Sequence, residues 1–176
     1  NPRLRTAINN ALSSNMAKDN IQKAIKKNTG NQDNEQIFEI TYEGFGPSGV
    51  AIIVESLTNN KNRSASEVRS TFSKYSGNLG INGCVRHNFD KIGVITYNRE
   101  VDKFENFFDY CASLDAHDIT ENLENYEVIS SLESYHQMIL NLEKKYALPK
   151  FASIEWRAIN TIDIDQEHEA LKLINN

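Results

Sequence analysis

Cysteine is scarce in this chain: only Cys84 and Cys111, far apart and with no CxxC spacing. That argues against a disulfide framework or a structural zinc site and favours a reducing, intracellular setting. Long apolar runs are missing as well. The longest, Val50 to Val54, has the length of a strand and falls far short of the roughly 18 residues a membrane-spanning helix needs. No signal-peptide h-region is present. Catalytic signatures are equally thin. His87, His117, His136 and His168 are scattered without HExxH or any spaced metal pair, and no serine sits in GxSxG. Asp115 with Asp118, and Asp163 with Asp165, have spacings common on exposed surfaces. The sequence therefore predicts no enzyme, no cofactor, no metal, no membrane and no small-molecule substrate.

What is present is the composition of a globular protein. Of 176 residues, 39% are hydrophobic and 24% charged, enough for one large domain or two to three small ones. The net charge of −5 is unevenly spread. Residues 1–30 hold Arg3, Arg5, Lys18, Lys23, Lys26 and Lys27 against Asp19 alone, a net +5, whereas residues 91–176 carry −8. A basic head on an acidic body points to one polyanion-facing end.

Periodicity supplies the elements. Asn1-Pro2 is a helix start, and Leu4, Ala7, Ile8, Ala11 and Leu12 recur at helical spacing. A chain opening on a ready N-cap without Met is expected to have lost earlier residues. A second helix is expected from about Ala17 to Asn28, with Ile21, Ala24 and Ile25 inward and Gly30 as its cap. Two such helices are marginal alone and belong in a larger bundle. After a polar linker, Ile37 to Tyr42 and Val50 to Leu57 read as strands joined by GFGPSG, an antiparallel hairpin. Ser64 is read as an N-cap with Glu67 completing a capping box. Val68 and Phe72 face inward, Gly77 ends that helix, and Cys84, Val85 and Phe89 mark a third strand. From Gly93 the order is strand, helix, strand pair, helix, strand. Phe104, Phe107, Phe108 and Cys111 are expected inward on the first of these helices, and Tyr135, Met138, Ile139 and Leu142 on the second. That βαββαβ order is the split βαβ signature of a ferredoxin-like sandwich. A final helix is expected over 166–174, stopping without a clear cap, so the chain is expected to be incomplete there too.

Two stretches invite a ligand. Gly44, Gly46 and Gly49 satisfy G-x-G-x-x-G, but a dinucleotide site needs those glycines to open a helix. Here they open the strand AIIVES, so Gly44, Gly46, Pro47 and Gly49 are read as a structural turn. The loop Asn59, Asn60, Lys61, Asn62 and Arg63 leads into a helix carrying Arg69 and Lys74. Asn and Arg donors beside a helix N-terminus suit phosphate oxygens, although a solvated loop has the same composition. Together with the basic face of residues 3–27, these are the candidate nucleic-acid-binding residues.

Several segments closely resemble the YebC-type family, which includes the mitochondrial translational activator of cytochrome c oxidase. They are NPRLR at 1–5, NMAKDNIQKAIKK at 15–27, YEGFGPSGVAIIVE at 42–55, TNNKNRSASEVRSTFSK at 58–74, SGNLG at 76–80 and FDKIGVI at 89–95. Beyond Ile95 the likeness rests on the βαββαβ order and on EHEALKLI near the end. The resemblance implies an α+β protein of three domains: a partial N-terminal helical domain at 1–30, a discontinuous central α+β domain at 31–91 and 160–176, and an inserted ferredoxin-like domain at 92–159. It further implies a non-enzymatic regulator of gene expression that binds ribosome and rRNA, helping synthesis through consecutive prolines; the chain is expected to be a monomer. Alternatives are a DNA-binding transcriptional regulator and a protein-interaction module docking through its acidic domain. The expected location is the bacterial cytoplasm, or else the mitochondrial matrix. The chain departs from the family pattern in three places. The lysine-rich segment upstream of NPRLR is not in it, Ser48 stands in the usual GxGPGG turn, and GCVRHNF replaces GSV plus an aromatic.

Overall fold

A hairpin and a ferredoxin-like sheet organise the computed structural model, which describes residues 2–29 and 36–161. In chain order, helices α1 (Pro2–Ser13) and α2 (Lys18–Thr29) precede strands β1 (Phe38–Phe45) and β2 (Ala51–Thr58). Helix α3 (Lys61–Lys74), β3 (Asn78–Leu79) and β4 (Phe89–Asn98) follow. The remainder is α4 (Phe104–Ser113), β5 (Asp118–Glu121), β6 (Asn125–Ser130), α5 (Leu132–Tyr146) and β7 (Phe151–Ala158). The chain separates into two compact units, Asn1–Gln32 with Lys91–Glu155, and Asp33–Asp90 with Trp156–Asn176. The expected helix over 166–174, and residues 31–35 of the linker, lie outside the described residues.

In the first unit the sheet order β5-β6-β4-β7, with α4 and α5 in the crossovers, is that of the split βαβ fold. Along β6 the burial alternates, and Tyr126, Val128 and Ser130 point into the core. They meet Ile95 and Tyr97 of β4, Phe107 and Cys111 of α4, and Tyr135, Met138, Ile139 and Leu142 of α5. Each large apolar side chain buried here contributes about 1.5–3 kcal/mol. The α5 face is the one its spacing predicts. On α4 one expectation fails: Phe108 is 42% exposed. The helix begins at Phe104, after a 3₁₀ turn over Arg99–Val101, and one more turn carries Phe108 past the core.

Helix α1 belongs to this unit and covers the edge strand β7. The Asn10 side-chain amide donates to the Ala152 carbonyl at 2.6 Å and accepts from the Ala152 amide at 3.0 Å. One side chain thus imitates a neighbouring strand at an edge that would otherwise be open to pairing. Arg5 pairs with Glu143 of α5, and Asn9 donates to the same carboxylate at 3.2 Å. Helix α1 ends in a Schellman motif: Asn15 is left-handed (φ 60°), and Met16 donates to Ala11 at 2.9 Å. Between α1 and α2 lies a cleft of about 340 Å³ lined by Leu4, Ile8, Met16, Ile21, Ala24 and Ile25. Only Ile21 of the expected α2 face is buried; Ala24 is exposed.

In the second unit β1 and β2 pair antiparallel from Phe38↔Thr58 to Phe45↔Ala51. The turn between them holds Pro47 in a short 3₁₀ segment, with Ser48 at φ 57° and Gly49 at φ 76°. Gly44 sits where a Cβ would meet the Asn78 carbonyl at 2.5 Å and the Phe72 ring at 2.7 Å, so its close approach seats both β3 and α3. Three expectations are corrected here. Helix α3 starts at Lys61, capped by Asn60, because the Asn60 side chain takes the Arg63 amide at 3.0 Å; Ser64 is already inside it. Its left-handed closing residue is Ser76 (φ 62°), with Gly77 one place later donating to Phe72 at 2.7 Å. Cys84 and Val85 form no strand; Arg86–Asn88 is a 3₁₀ turn, and the third strand of that sheet is the two-residue β3.

Candidate nucleic-acid interface

The polar loop before α3 is built on one threonine. Thr58, at the end of β2 and 7% exposed, donates to the Asn60 carbonyl at 3.2 Å and accepts from the Asn60 amide at 3.0 Å. It also accepts from the Ser64 hydroxyl at 2.7 Å. These bonds fix the entry to α3, and Asn60 then caps it. Arg63 Nη2 donates to Asn59 Oδ1 at 3.0 Å, which orients the guanidinium from the first turn.

Helix α3 turns Ser64, Ala65, Val68 and Phe72 toward the unit and leaves Asn62, Arg63, Ser66, Arg69, Ser70 and Ser73 exposed. Glu67 and Thr71 are exposed there as well, so two arginines and one carboxylate stand among small polar side chains that allow a phosphate backbone to come close. The two lysines differ. Lys61 Nζ sits 4.0 Å from the centre of the Phe38 ring, and Lys74 Nζ 5.0 Å from that of Tyr75. Each lysine thus lies against an aromatic ring of its own unit, while Arg63 and Arg69 are exposed on the helix. Gly44, Gly46, Pro47 and Gly49 lie at the other end of the hairpin from Asn59.

The basic residues of the N-terminal helices belong to the first unit, and the α3 group to the second. Lys18, Lys23 and Lys26 are exposed on α2. Arg5 is engaged with Glu143. Arg3 and Lys27 lie on helical backbone, but their side chains are outside the described residues. Among the described residues, no three His, Cys, Asp or Glu side chains gather as a metal site, and no helix is long and apolar enough to cross a membrane.

A further surface element in the second unit escaped the sequence reading. Glu43, only 2% exposed, points its carboxylate at the loop before β4. It accepts from the amides of Gly83 at 2.9 Å, Val85 at 3.1 Å and Arg86 at 3.0 Å. Burial raises the carboxyl pKa, but the three amides and the Arg86 charge together hold it below the ordinary glutamate value. The loop so fixed presents the Arg86 guanidinium 4.9 Å from the centre of the Trp156 ring. The departure GCVRHNF marks this place in the sequence, but nothing in it names Glu43 or Trp156 as partners.

The fold is mixed α+β, with a ferredoxin-like sheet and a separate hairpin unit carrying a capped cationic helix. Residues 37–176 match the family model described as the TACO1/YebC second and third domain. The chain is 43% identical to a probable transcriptional regulatory protein of Rickettsia bellii over 174 residues, covering 99% of this chain and 68% of that protein. A protein of the same description from Rickettsia canadensis is 42% identical, with 99% and 69% covered. The crystal structure of a conserved hypothetical protein from Aquifex aeolicus superposes with a TM-score of 0.84 at 39% identity, over 99% of this chain and 72% of that one. The chain belongs to the TACO1/YebC family.

Proposed function

We propose that this chain is a non-enzymatic, nucleic-acid-binding regulator of gene expression that works as a ribosome-associated translation factor. It contacts rRNA through α3 and the basic N-terminal helices, and it eases synthesis through proline-rich stretches by positioning rather than by chemistry. The observation that carries the reading is the outward face of α3, where Arg63, oriented by Asn59, and Arg69 are both exposed among small polar side chains and the single carboxylate Glu67. The three-domain division at 1–30, 31–91 with 160–176, and 92–159 is part of the same proposal, as are a bacterial cytoplasmic location and a monomeric state.

The test is co-sedimentation with ribosomes at moderate salt, comparing the parent chain with Arg63→Glu/Arg69→Glu. The parent is expected to pellet with ribosomes and the double variant to lose most of that binding, each reversed contact being charge-assisted. A parent chain that stays in the supernatant sinks the reading. A second reading, a DNA-binding transcriptional regulator, is favoured by the description its Rickettsia relatives carry. It requires a sequence-specific footprint on promoter DNA; binding that varies with salt but not with sequence counts against it.

A further inference from the structure

The loop between β3 and β4 is held more firmly than a connecting segment needs to be. Besides the three amides on Glu43, the Gly80 amide donates to the Glu43 carbonyl at 2.8 Å, and the Ile159 amide to the Asn88 carbonyl at 2.9 Å. Val85 is fully buried beneath it. A buried carboxylate devoted to three loop amides is a costly way to order a surface loop, and it fixes what that loop displays. On display are Arg86, exposed and lying over the half-buried Trp156, and exposed Ile81 and His87.

We propose that the Arg86–Trp156 pair is a stacking site for one unpaired nucleobase of a single-stranded nucleic acid. The proposal rests on the nucleic-acid reading above and extends it from phosphate to base. Three features carry it. The exposed guanidinium is a flat group whose central carbon lies over the indole ring, 4.9 Å from its centre; bases splayed out of a strand stack on such planes. The Glu43 carboxylate bonds the Arg86 amide and balances its charge, which favours a neutral aromatic ring over a phosphate. Ile81 of the same loop is an apolar side chain left 81% exposed, and the loop backbone is already held by Glu43, so little entropy remains to be lost on binding.

Trp156 is the only tryptophan in the chain, so its fluorescence reports on this site alone. The experiment titrates the full chain with a ten-nucleotide oligoadenylate as RNA and as DNA, and with an abasic oligonucleotide of equal length. Trp156 emission and the anisotropy of the labelled strand are read together. The base-bearing strands are expected to quench Trp156 while the abasic strand binds without quenching. Arg86→Ala is expected to weaken the base-bearing strands about tenfold, the scale of one base stack, and to leave the abasic affinity unchanged. Arg86→Lys is expected to behave like the alanine variant, because an ammonium keeps the charge but not the plane. Equal quenching by the abasic strand, an unchanged affinity in Arg86→Ala, or rescue by Arg86→Lys overturns the stacking site alone. Failure of every strand to bind, abasic included, overturns the nucleic-acid reading with it. The relative affinities of the RNA and DNA strands assign the base to one polymer or the other.

Discussion

Glu43 shows how much a single side chain can commit. Its carboxyl is depressed below 4.5, so the sign of its linkage is fixed: it contributes stability above its unfolded value and loses it as pH falls through the lower folded value. The parent chain is therefore expected to weaken toward urea as pH drops below about 4.5. Glu43→Gln is expected to cost about 2 kcal/mol at neutral pH, because one of the three amides faces a donor instead of an acceptor, and to flatten that acid limb. Urea titrations of both proteins at pH 7 and pH 4 measure this. A glutamine variant matching the parent at pH 7 shows that the charge is dispensable. Nothing in YEGF revealed the role, since the amides lie 40 to 43 residues downstream and pattern reading sees only neighbours.

At the scale of elements, legibility followed length and period. The apolar stripe of α5 and the alternation of β6 were readable because each repeats over several turns or pleats. The start of α3 was misplaced because Asn60 and Ser64 are both good caps, and Thr58, two residues before Asn60, settles the choice through contacts no spacing encodes. A two-residue strand such as β3 has no period to read. The edge of β7 carries its own prediction. Asn10→Ala removes both bonds to Ala152 and bares that stretch of edge, which is expected to cost about 1–2 kcal/mol and to promote self-association. Sedimentation velocity over a concentration series distinguishes this from simple loss of stability; a variant that stays as dispersed as the parent excludes the edge-guarding role.

For the whole molecule, the charge distribution was legible and its geometry was not. A chain of net charge −5 binds a polyanion only through local clusters, so the cluster rather than the total sets the response to salt. The logarithm of affinity for single strands is expected to fall with the logarithm of salt by about 0.7 per phosphate engaged. Arg63→Glu/Arg69→Glu is then expected to lower that slope by about 1.4, read from anisotropy titrations between low and moderate salt. A slope unchanged by the double variant moves the contact elsewhere.

The Asn10 contact also has a timetable. Its two halves are 142 residues apart, and a ribosome adding about 5–20 residues per second makes the second roughly 7–30 s after the first. Throughout that interval α1 has emerged with its side-chain amide unmatched, and the strand it will cover does not yet exist. The first unit is thus completed only after Ala152 has been made, when α1 meets β7. Slow passage through codons between Asn10 and Ala152 lengthens the exposure of α1 without altering any contact in the finished protein.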